Sequence, residues 1–391
     1  MIRFLFAIAA IAMLAPQAHA QQSAVMQHYR AYEAALQQGD IPTAAREAQA
    51  ALAASEARDG DGGRTAVLSL NLAIVRLMAR EYGAARAASE RALVLGRAGA
   101  TGVNEPLAEL ISARAALALD GESGDGRRAA QTLHGLLNAP SAEMLNDTDV
   151  YLAGSQLGAW GFTQENWEMA RQGWSIAGAR PAGSPLGERY GLGRARVNEA
   201  VAIITEQLDR RRRARIGEEE AQEAHALLAQ AATVLYPLSR LEAPSRELTL
   251  AQQAFAEARV WFGALEAKLA IDEMEIPARP QEAQGDGDGL SEIGPVNLLA
   301  KPRCMVRIRA IPELEYVDND EVAAVAVYLR IGPNGEVLSH QIAARAGSQQ
   351  FADEVSRVAG QWRAAPAPGS ASDCRLEANV LQIVQFRLRR S

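Results

Sequence analysis

LGAWGFTQENWEMARQGWSIA, residues 157–177, is the stretch on which the fold turns. Leu157-Gly158 opens it, a turn follows through residues 164–167, and Ala170, Trp174 and Ala177 come next at helical spacing. This is the pattern of two helices paired closely. Small residues let the backbones approach, and a large side chain from the neighbour fills the gap. Working outward, the same pattern recurs. Residues 23–36 form an amphipathic run, Gly39-Asp40 marks a turn, and Ala44 and Ala51-Leu52 continue. Leu72-Ala73, a turn near Glu81-Tyr82, then Ala85 and Ala92-Leu93 repeat it. Weaker copies span residues 110–137 and 197–235, the latter with Ala224 and Ala231.

These residues resemble the tetratricopeptide repeat, whose pattern carries Leu-Gly in its first helix and Ala-x3-aromatic in its second. First-turn alanines fall at 44, 85, about 130 and 170, a period near 40 where the family has 34. Gly/Asp-rich inserts at residues 59–63 and 121–126 account for the excess, and inserts in such arrays map to loops. The resemblance implies an all-α solenoid over most of residues 21–275.

Composition agrees. Of 391 residues, 48% are hydrophobic and 22% charged, as in packed globular protein of two or three domains. Aromatics are only 5%, since the apolar content is mostly Ala and Leu, which favours closely packed helices over large β-sandwiches. The formal charge is −7, and it becomes −8 once the first 20 residues, with Arg3, are removed. A chain this acidic has no overall field to attract nucleic acid or anionic lipid, so neither is expected as a partner.

The N-terminus reads as an export signal over residues 1–20. Arg3 precedes a 12-residue apolar run, residues 4–15, and Ala18-His19-Ala20 supplies a small-x-small cleavage site before Gln21. Twelve residues make about 18 Å of helix, short of a ~30 Å hydrocarbon core. An uncleaved membrane anchor is the alternative. No Cys follows the apolar run to carry a lipid, and no later stretch reaches 18 consecutive apolar residues, so no integral span is expected in the mature chain.

Residues 245–275 read as one long helix of about 45 Å, with Leu248, Ala251, Phe255, Ala258, Phe262, Leu265 and Leu269 on one face and Ser245 as its N-cap. It is expected to cap the array and could hold the next domain at a distance. A flexible linker, residues 276–300, follows, with three Pro and Gly285-Asp-Gly-Asp-Gly289. The Asp-Gly alternation lacks the bidentate Glu of a calcium loop.

From Val322 the period becomes that of a strand. Val325, Val327, Leu329 and Ile331 alternate with Ala326, Tyr328 and Arg330. Gly332-Pro-Asn-Gly335 is a hairpin turn, and Val337, Ile342 and Ala344 continue as the partner strand. Ser348 is placed to cap a helix carrying Phe351, Val355, Val358 and Trp362, and Leu381, Ile383, Val384, Phe386 and Leu388 make a last strand. Gly335 at the hairpin, Phe351 entering the helix, Trp362-x3-Pro366 leaving it and Phe386 in the final strand resemble the C-terminal domain of TonB. The family's Tyr-Pro before the first strand has no clear counterpart; Ile311-Pro312 and Glu315-Tyr316 stand nearest.

The resemblance gives residues 301–391 a small α+β (ββαβ) fold. It implies a periplasmic binding module that meets outer-membrane transporters or their peptides, often by adding a partner strand to a sheet edge. The edge carried over is the terminal strand, residues 379–388, through Asn379, Leu381, Ile383, Val384, Phe386 and Leu388. The strand-like residues 305–310 are the alternative occupant of that edge. Cys304 and Cys374, the only two cysteines, fall in this domain. In an oxidising compartment such a pair reads as a disulfide closing a loop of about 70 residues, worth roughly 4 kcal/mol in the chain-entropy model. Two separate buried thiols are the alternative, and no second ligand pair is spaced for zinc.

No motif for catalysis stands out. Gly191-Leu-Gly193 lacks the preceding strand and third Gly of a phosphate cradle. Beyond the leader's His19, the histidines His28, His134, His225 and His340 have no matched partner in sequence and read as surface or packing residues. Arg210, Arg211, Arg212, Arg213 and Arg215, before Glu218-Glu219-Glu220, read as a helix end and the next helix start, each complementing a dipole; an anionic-partner patch is the alternative. Trp160, Trp167 and Trp174 recur every seven residues and are expected to fill space between helices, or else to line a peptide groove. The expectation is therefore a multi-domain, non-enzymatic periplasmic scaffold without cofactor or metal. It would bind protein or peptide partners of the bacterial envelope, an outer-membrane transporter among them. TonB-like transducers carry an anchoring helix and a long Pro-rich spacer where this chain has a leader and a helical array. The alternative is such a transducer, retained at the inner membrane by an uncleaved N-terminal segment.

Overall fold

Residues 16–182, 185–210, 216–239, 246–271, 274–276, 306–308, 323–366 and 376–386 are described in the computed structural model of the chain. Among them are twelve α-helices and, near the C-terminus, a small three-stranded antiparallel sheet. The chain divides into two compact units, Met1–Glu165 and Asn166–Ser391.

The first unit holds α1 (Pro16–Gln38), α2 (Ile41–Asp59), α3 (Gly63–Met78), α4 (Tyr82–Arg97), α5 (Glu105–Leu119), α6 (Gly124–Asn138) and α7 (Asp147–Thr163), with a 3-10 turn at Pro140–Met144. Each helix packs on the next, and α5 also meets α3 and α7. The alanines at 44, 85 and 130 have no exposed surface, and side chains this small let neighbouring helices approach closely. Gly39 turns the chain at φ 73°, its N–H and that of Asp40 donating back to Leu36 and Ala35. Asp40 then starts α2, its carboxylate accepting the Thr43 N–H at 3.1 Å. The same turn recurs at Arg80, with φ 60° and no glycine. Both inserts are tied to the core. Thr65 Oγ1 donates to the Gly60 carbonyl at 2.6 Å, and Trp160 Nε1 donates to that of Gly121 at 2.7 Å.

The second unit begins with α8 (Trp167–Ala179), α9 (Pro185–Arg210), α10 (Glu218–Ser239) and α11 (Arg246–Ile271). Ala170, Ala224 and Ala231 are fully buried. Gly193 is where α9 and α10 touch: a Cβ there would lie 2.4 Å from Leu235 Cγ. Its role is therefore close packing.

The sheet is ordered β3-β2-β5, from β2 (Ala324–Ile331), β3 (Val337–Ala346) and β5 (Ala378–Gln385); β1 (Val306–Ile308) pairs separately with β4 (Ala364–Pro366). Between β3 and β4 lies α12 (Gln349–Ala359). The helix is shorter than its spacing implied. It stops at Ala359, and Trp362, outside it, still reaches the core with no exposed surface. Ser348 occupies the N-cap position but its side chain makes no capping hydrogen bond. Gly335 carries φ 80° at the hairpin, and its carbonyl accepts the Ala364 N–H at 2.7 Å, fastening the turn to the chain beyond α12.

The sheet is covered on both faces. Val325, Val327, Leu329 and Ile331 pack with Phe351, Val355, Val358 and Trp362. The alternate residues Ala324 and Ala326, with Ala346, pack with Ala256, Val260, Ala264 and Leu265 of α11. Here the single apolar face expected of residues 245–275 is corrected: α11 is buried on most sides from Ala256 to Leu269, with α9 and α10 against it and the sheet against it too. The helix does not hold the strands at a distance. The approach is close because the contact is made of alanine and Gly263, where a Cβ would lie 3.0 Å from Ile383 Cγ2.

Candidate functional site

β5 is one edge of the sheet. Val380, Ile383 and Val384 favour a strand, and its eight residues pair with β2 without a break in register, from Ala324↔Gln385 to Ile331↔Ala378. Phe386 N–H donates to the Ala323 carbonyl at 3.2 Å. Antiparallel pairs exchange hydrogen bonds at every second residue. Val380, Gln382 and Val384 therefore bond to β2, while Asn379, Leu381 and Ile383 turn their N–H and C=O groups the other way, to the edge. Gln382 Nε2 donating to the Ile383 carbonyl at 2.8 Å agrees with that direction. Among the described residues, no strand pairs with this edge. Of the alternative occupant, residues 305–310, Val306–Ile308 pair with β4 and also lie close to β5; residues 305, 309 and 310 lie outside the described residues.

The opposite edge, β3, is built differently. Its register with β2 shifts twice, between Ala326 and Val327 and between Arg330 and Ile331. It carries His340 and Arg345, and bulges with charges blunt an edge against further pairing. Residues 378–386 carry no charge. Of the two edges, β5 is the uncharged one with an unbroken register.

Side chains hold β5 from both faces. Val380, Val384 and Phe386 join the core under α12, with the Phe386 ring centroid 4.4 Å from that of Phe351. Leu381 and Ile383 face α11. Two polar contacts fix the same seam. Tyr328 Oη donates to the Gln252 carbonyl at 3.2 Å, and burial raises its phenol pKa. Gln385 Nε2 donates to Glu266 Oε2 at 3.4 Å. Behind Glu266, His225 of α10 is buried, its Nε2 4.0 Å from Glu266 Oε1 and its ring 4.3 Å from that of Phe262. Sequence reasoning missed this polar cluster. The signal was that His225 shares a helix face with Ala221, Ala224 and Leu228.

Of the six residues expected at the edge, Asn379, Leu381 and Ile383 direct their backbone outward. Val384 and Phe386 belong to the inner ladder and the core. Leu388, Cys304, Cys374 and the Gly285–Gly289 run lie outside the described residues, as do residues 1–15 and Arg211, Arg212, Arg213 and Arg215 of the basic run. Glu218, Glu219 and Glu220 form the first turn of α10. Trp160 and Trp174 are buried, each in its own unit. His28 Nδ1 pairs with Glu47 at 2.9 Å, and His340 lies 3.4 Å from Ser356. Among the described residues, no three His, Cys, Asp or Glu side chains gather as a metal site, and no helix is long and apolar enough to cross a membrane. Compared with known protein families the sequence matches none, and it has no significant match among curated proteins.

Proposed function

We propose that this chain is a non-enzymatic interaction scaffold of the bacterial cell envelope, exported to the periplasm. Its array of paired helices is of the tetratricopeptide kind, and its C-terminal sheet is a TonB C-terminal-like module that takes up a strand from a protein partner. One observation carries the reading: the β5 edge, uncharged and unbroken in register, has Asn379, Leu381 and Ile383 turned outward. Main-chain pairing along such an edge gives affinity, and pockets for alternate side chains give specificity. An outer-membrane transporter, or a peptide segment of one, is the partner class that the family resemblance supplies.

The test places a photoreactive residue at Leu381 or Ile383 of the whole chain, in cells. The expected result is a crosslink to an extended segment of one identified envelope protein, lost when Asn379→Pro removes an outward N–H. A crosslink pattern indifferent to Asn379→Pro defeats the edge reading. Fractionation decides the compartment. Leader-free chain in the soluble periplasm is expected, and inner-membrane retention with an intact Met1 end favours the energy-transducer alternative.

A further inference from the structure

Phe262, Gly263 and Glu266 divide one side of α11 between two neighbours. The Phe262 ring lies 4.3 Å from that of His225 in α10, and a Cβ on Gly263 would lie 3.0 Å from Ile383 and 3.2 Å from the Gln385 amide in β5. Successive helical residues are turned by about 100°, so Glu266 projects between these two directions. It reaches both. Its Oε2 accepts from Gln385 Nε2 at 3.4 Å, and its Oε1 stands 4.0 Å from His225 Nε2. We propose that His225, Glu266 and Gln385 form an acid-responsive latch: protonation of His225 draws the Glu266 carboxylate off Gln385 and loosens β5 on α11.

The 4.0 Å gap carries the argument. His225 is buried, and its Nε2 has no hydrogen-bond partner. A neutral imidazole carries its proton on one nitrogen and a lone pair on the other. With the lone pair at Nε2, acceptor faces acceptor and the two groups stand apart. A proton added there makes Nε2 a charged donor aimed at a carboxylate, a pair that closes to about 2.7–2.9 Å. Glutamate has more side-chain torsions than histidine, and the ring is lodged against Phe262, so the carboxylate makes the move. The Gln385 contact, at 3.4 Å, is already at the outer limit of a hydrogen bond and gives way first.

The other charges around His225 are engaged elsewhere. α10 packs against α9 and α11. On α9, buried Glu199 pairs with Arg196 at 2.7 Å, Gln207 donates to Glu220 of α10 at 3.2 Å, and Arg194 pairs with Glu257 of α11. Glu206 of α9, and Arg259 and Lys268 of α11, have partners of their own, and Glu266 has further ones. On α10 itself, Ala221, Gln222, Leu228 and Ala229, one turn either side of His225, are uncharged, and Glu223 pairs with Arg171 of α8. The carboxylate set before the bare nitrogen is that of Glu266. β5 is the strand whose outer edge takes up a partner in the reading above, so acid should weaken that uptake; only this consequence rests on that reading.

The test needs no partner. Amide exchange of Val384, corrected for the intrinsic effect of pH, is followed in the chain lacking residues 1–20 from about pH 8 to about pH 5.5, the range in which histidine changes charge. Wild-type protection should fall about fivefold, the worth of one typical hydrogen bond. His225→Gln, which takes up no proton, and Glu266→Gln, which offers no charge to attract it, should each lose that fall. The remaining histidines are common to every variant, so the difference between profiles decides. Circular dichroism at the upper pH shows that the variants fold. In wild type, the 15N shifts of the His225 ring give a check without substitution: Nε2 bare at the upper pH and protonated at the lower. Equal profiles in wild type and His225→Gln overturn the proposal, as does an Nε2 that bears its proton throughout or never gains one. If the latch titrates and no strand is crosslinked at Leu381 at any pH, the edge reading alone has failed. If crosslinking holds and the profiles coincide, the latch alone has failed.

Discussion

Replacing Gly263 with Leu tests whether the sheet is packed against α11. At this position a Cβ alone would lie 3.0 Å from Ile383 Cγ2, 3.2 Å from Gln385 Nε2 and 3.5 Å from Gln385 Cγ. Carbon atoms in ordinary contact stay about 3.5–4.0 Å apart, so even Ala asks Ile383 to move by about half an ångström. Leu adds three more carbons in the same direction. Removing a helical glycine gains up to about 1 kcal/mol, and overpacking a filled site costs about 1–3 kcal/mol. With the full glycine gain taken off, the net expectation is a loss of up to about 2 kcal/mol at the seam, a factor of up to roughly 30 in its opening equilibrium. Site-resolved hydrogen exchange at Val325 and Val384 reads this directly, as amides that bond within the sheet. Gly135→Leu in α6 is the control: nothing lies within 4 Å of a Cβ there, so only the gain of up to about 1 kcal/mol should appear. Unchanged exchange in Gly263→Leu would mean that α11 and the sheet are not in packed contact, and the two-faced burial of β2 would be wrong.

Other perturbations follow from the same geometry. Asn379→Pro, whose N–H faces the open edge, should keep the sheet's thermal transition within a few degrees, whereas Val380→Pro removes a bond to β2 and should abolish it. Equal effects in the two melts refute the assigned backbone direction. Gly335→Ala places an L residue at φ 80° with its Cβ 2.3 Å from the Ala364 carbonyl oxygen, and should cost at least about 2 kcal/mol in urea unfolding of the sheet. The Glu47 pKa is held below its ordinary value, chiefly by the hydrogen bond with His28. A depressed carboxylate stabilises the fold above its unfolded pKa, and that contribution is lost as pH falls through the folded value. Exchange protection of α1 and α2 should accordingly drop more steeply below about pH 4.5 in wild type than in His28→Ala. Parallel pH profiles would remove the pair's role.

The helical pairs were legible because a small residue at a helix crossing is a local signal: Ala44, Ala85, Ala130 and Ala170 are all fully buried where the spacing placed them. Gly39 announced its turn, but Arg80 adopts the same positive φ with nothing in its identity to mark it. The hairpin, α12 and the last strand were equally readable, through the period change at Val322 and the Asn334-Gly335 pair. The covered second face of the sheet was not. Ala256 and Ala264 read as ordinary helix formers and Gly263 as a lone glycine within a helix, and the partners of this stretch, Ala324, Ala326 and Ala346, lie some 60–90 positions further along. The edge itself was half visible. Alternation identified the strand. Which of its residues turn outward, and whether residues 305–310 cover them, depends on pairings of very short segments that pattern does not specify.

The most direct measurement of the account is site-resolved amide exchange along β5 in dilute chain lacking residues 1–20. If the edge is open, Val380, Gln382 and Val384 are protected by β2, while Leu381 and Ile383 exchange at least tenfold faster. Protection of Leu381 and Ile383 equal to that of their neighbours at the lowest concentration would show that a strand of the same chain already occupies the edge, and would contradict the proposed role.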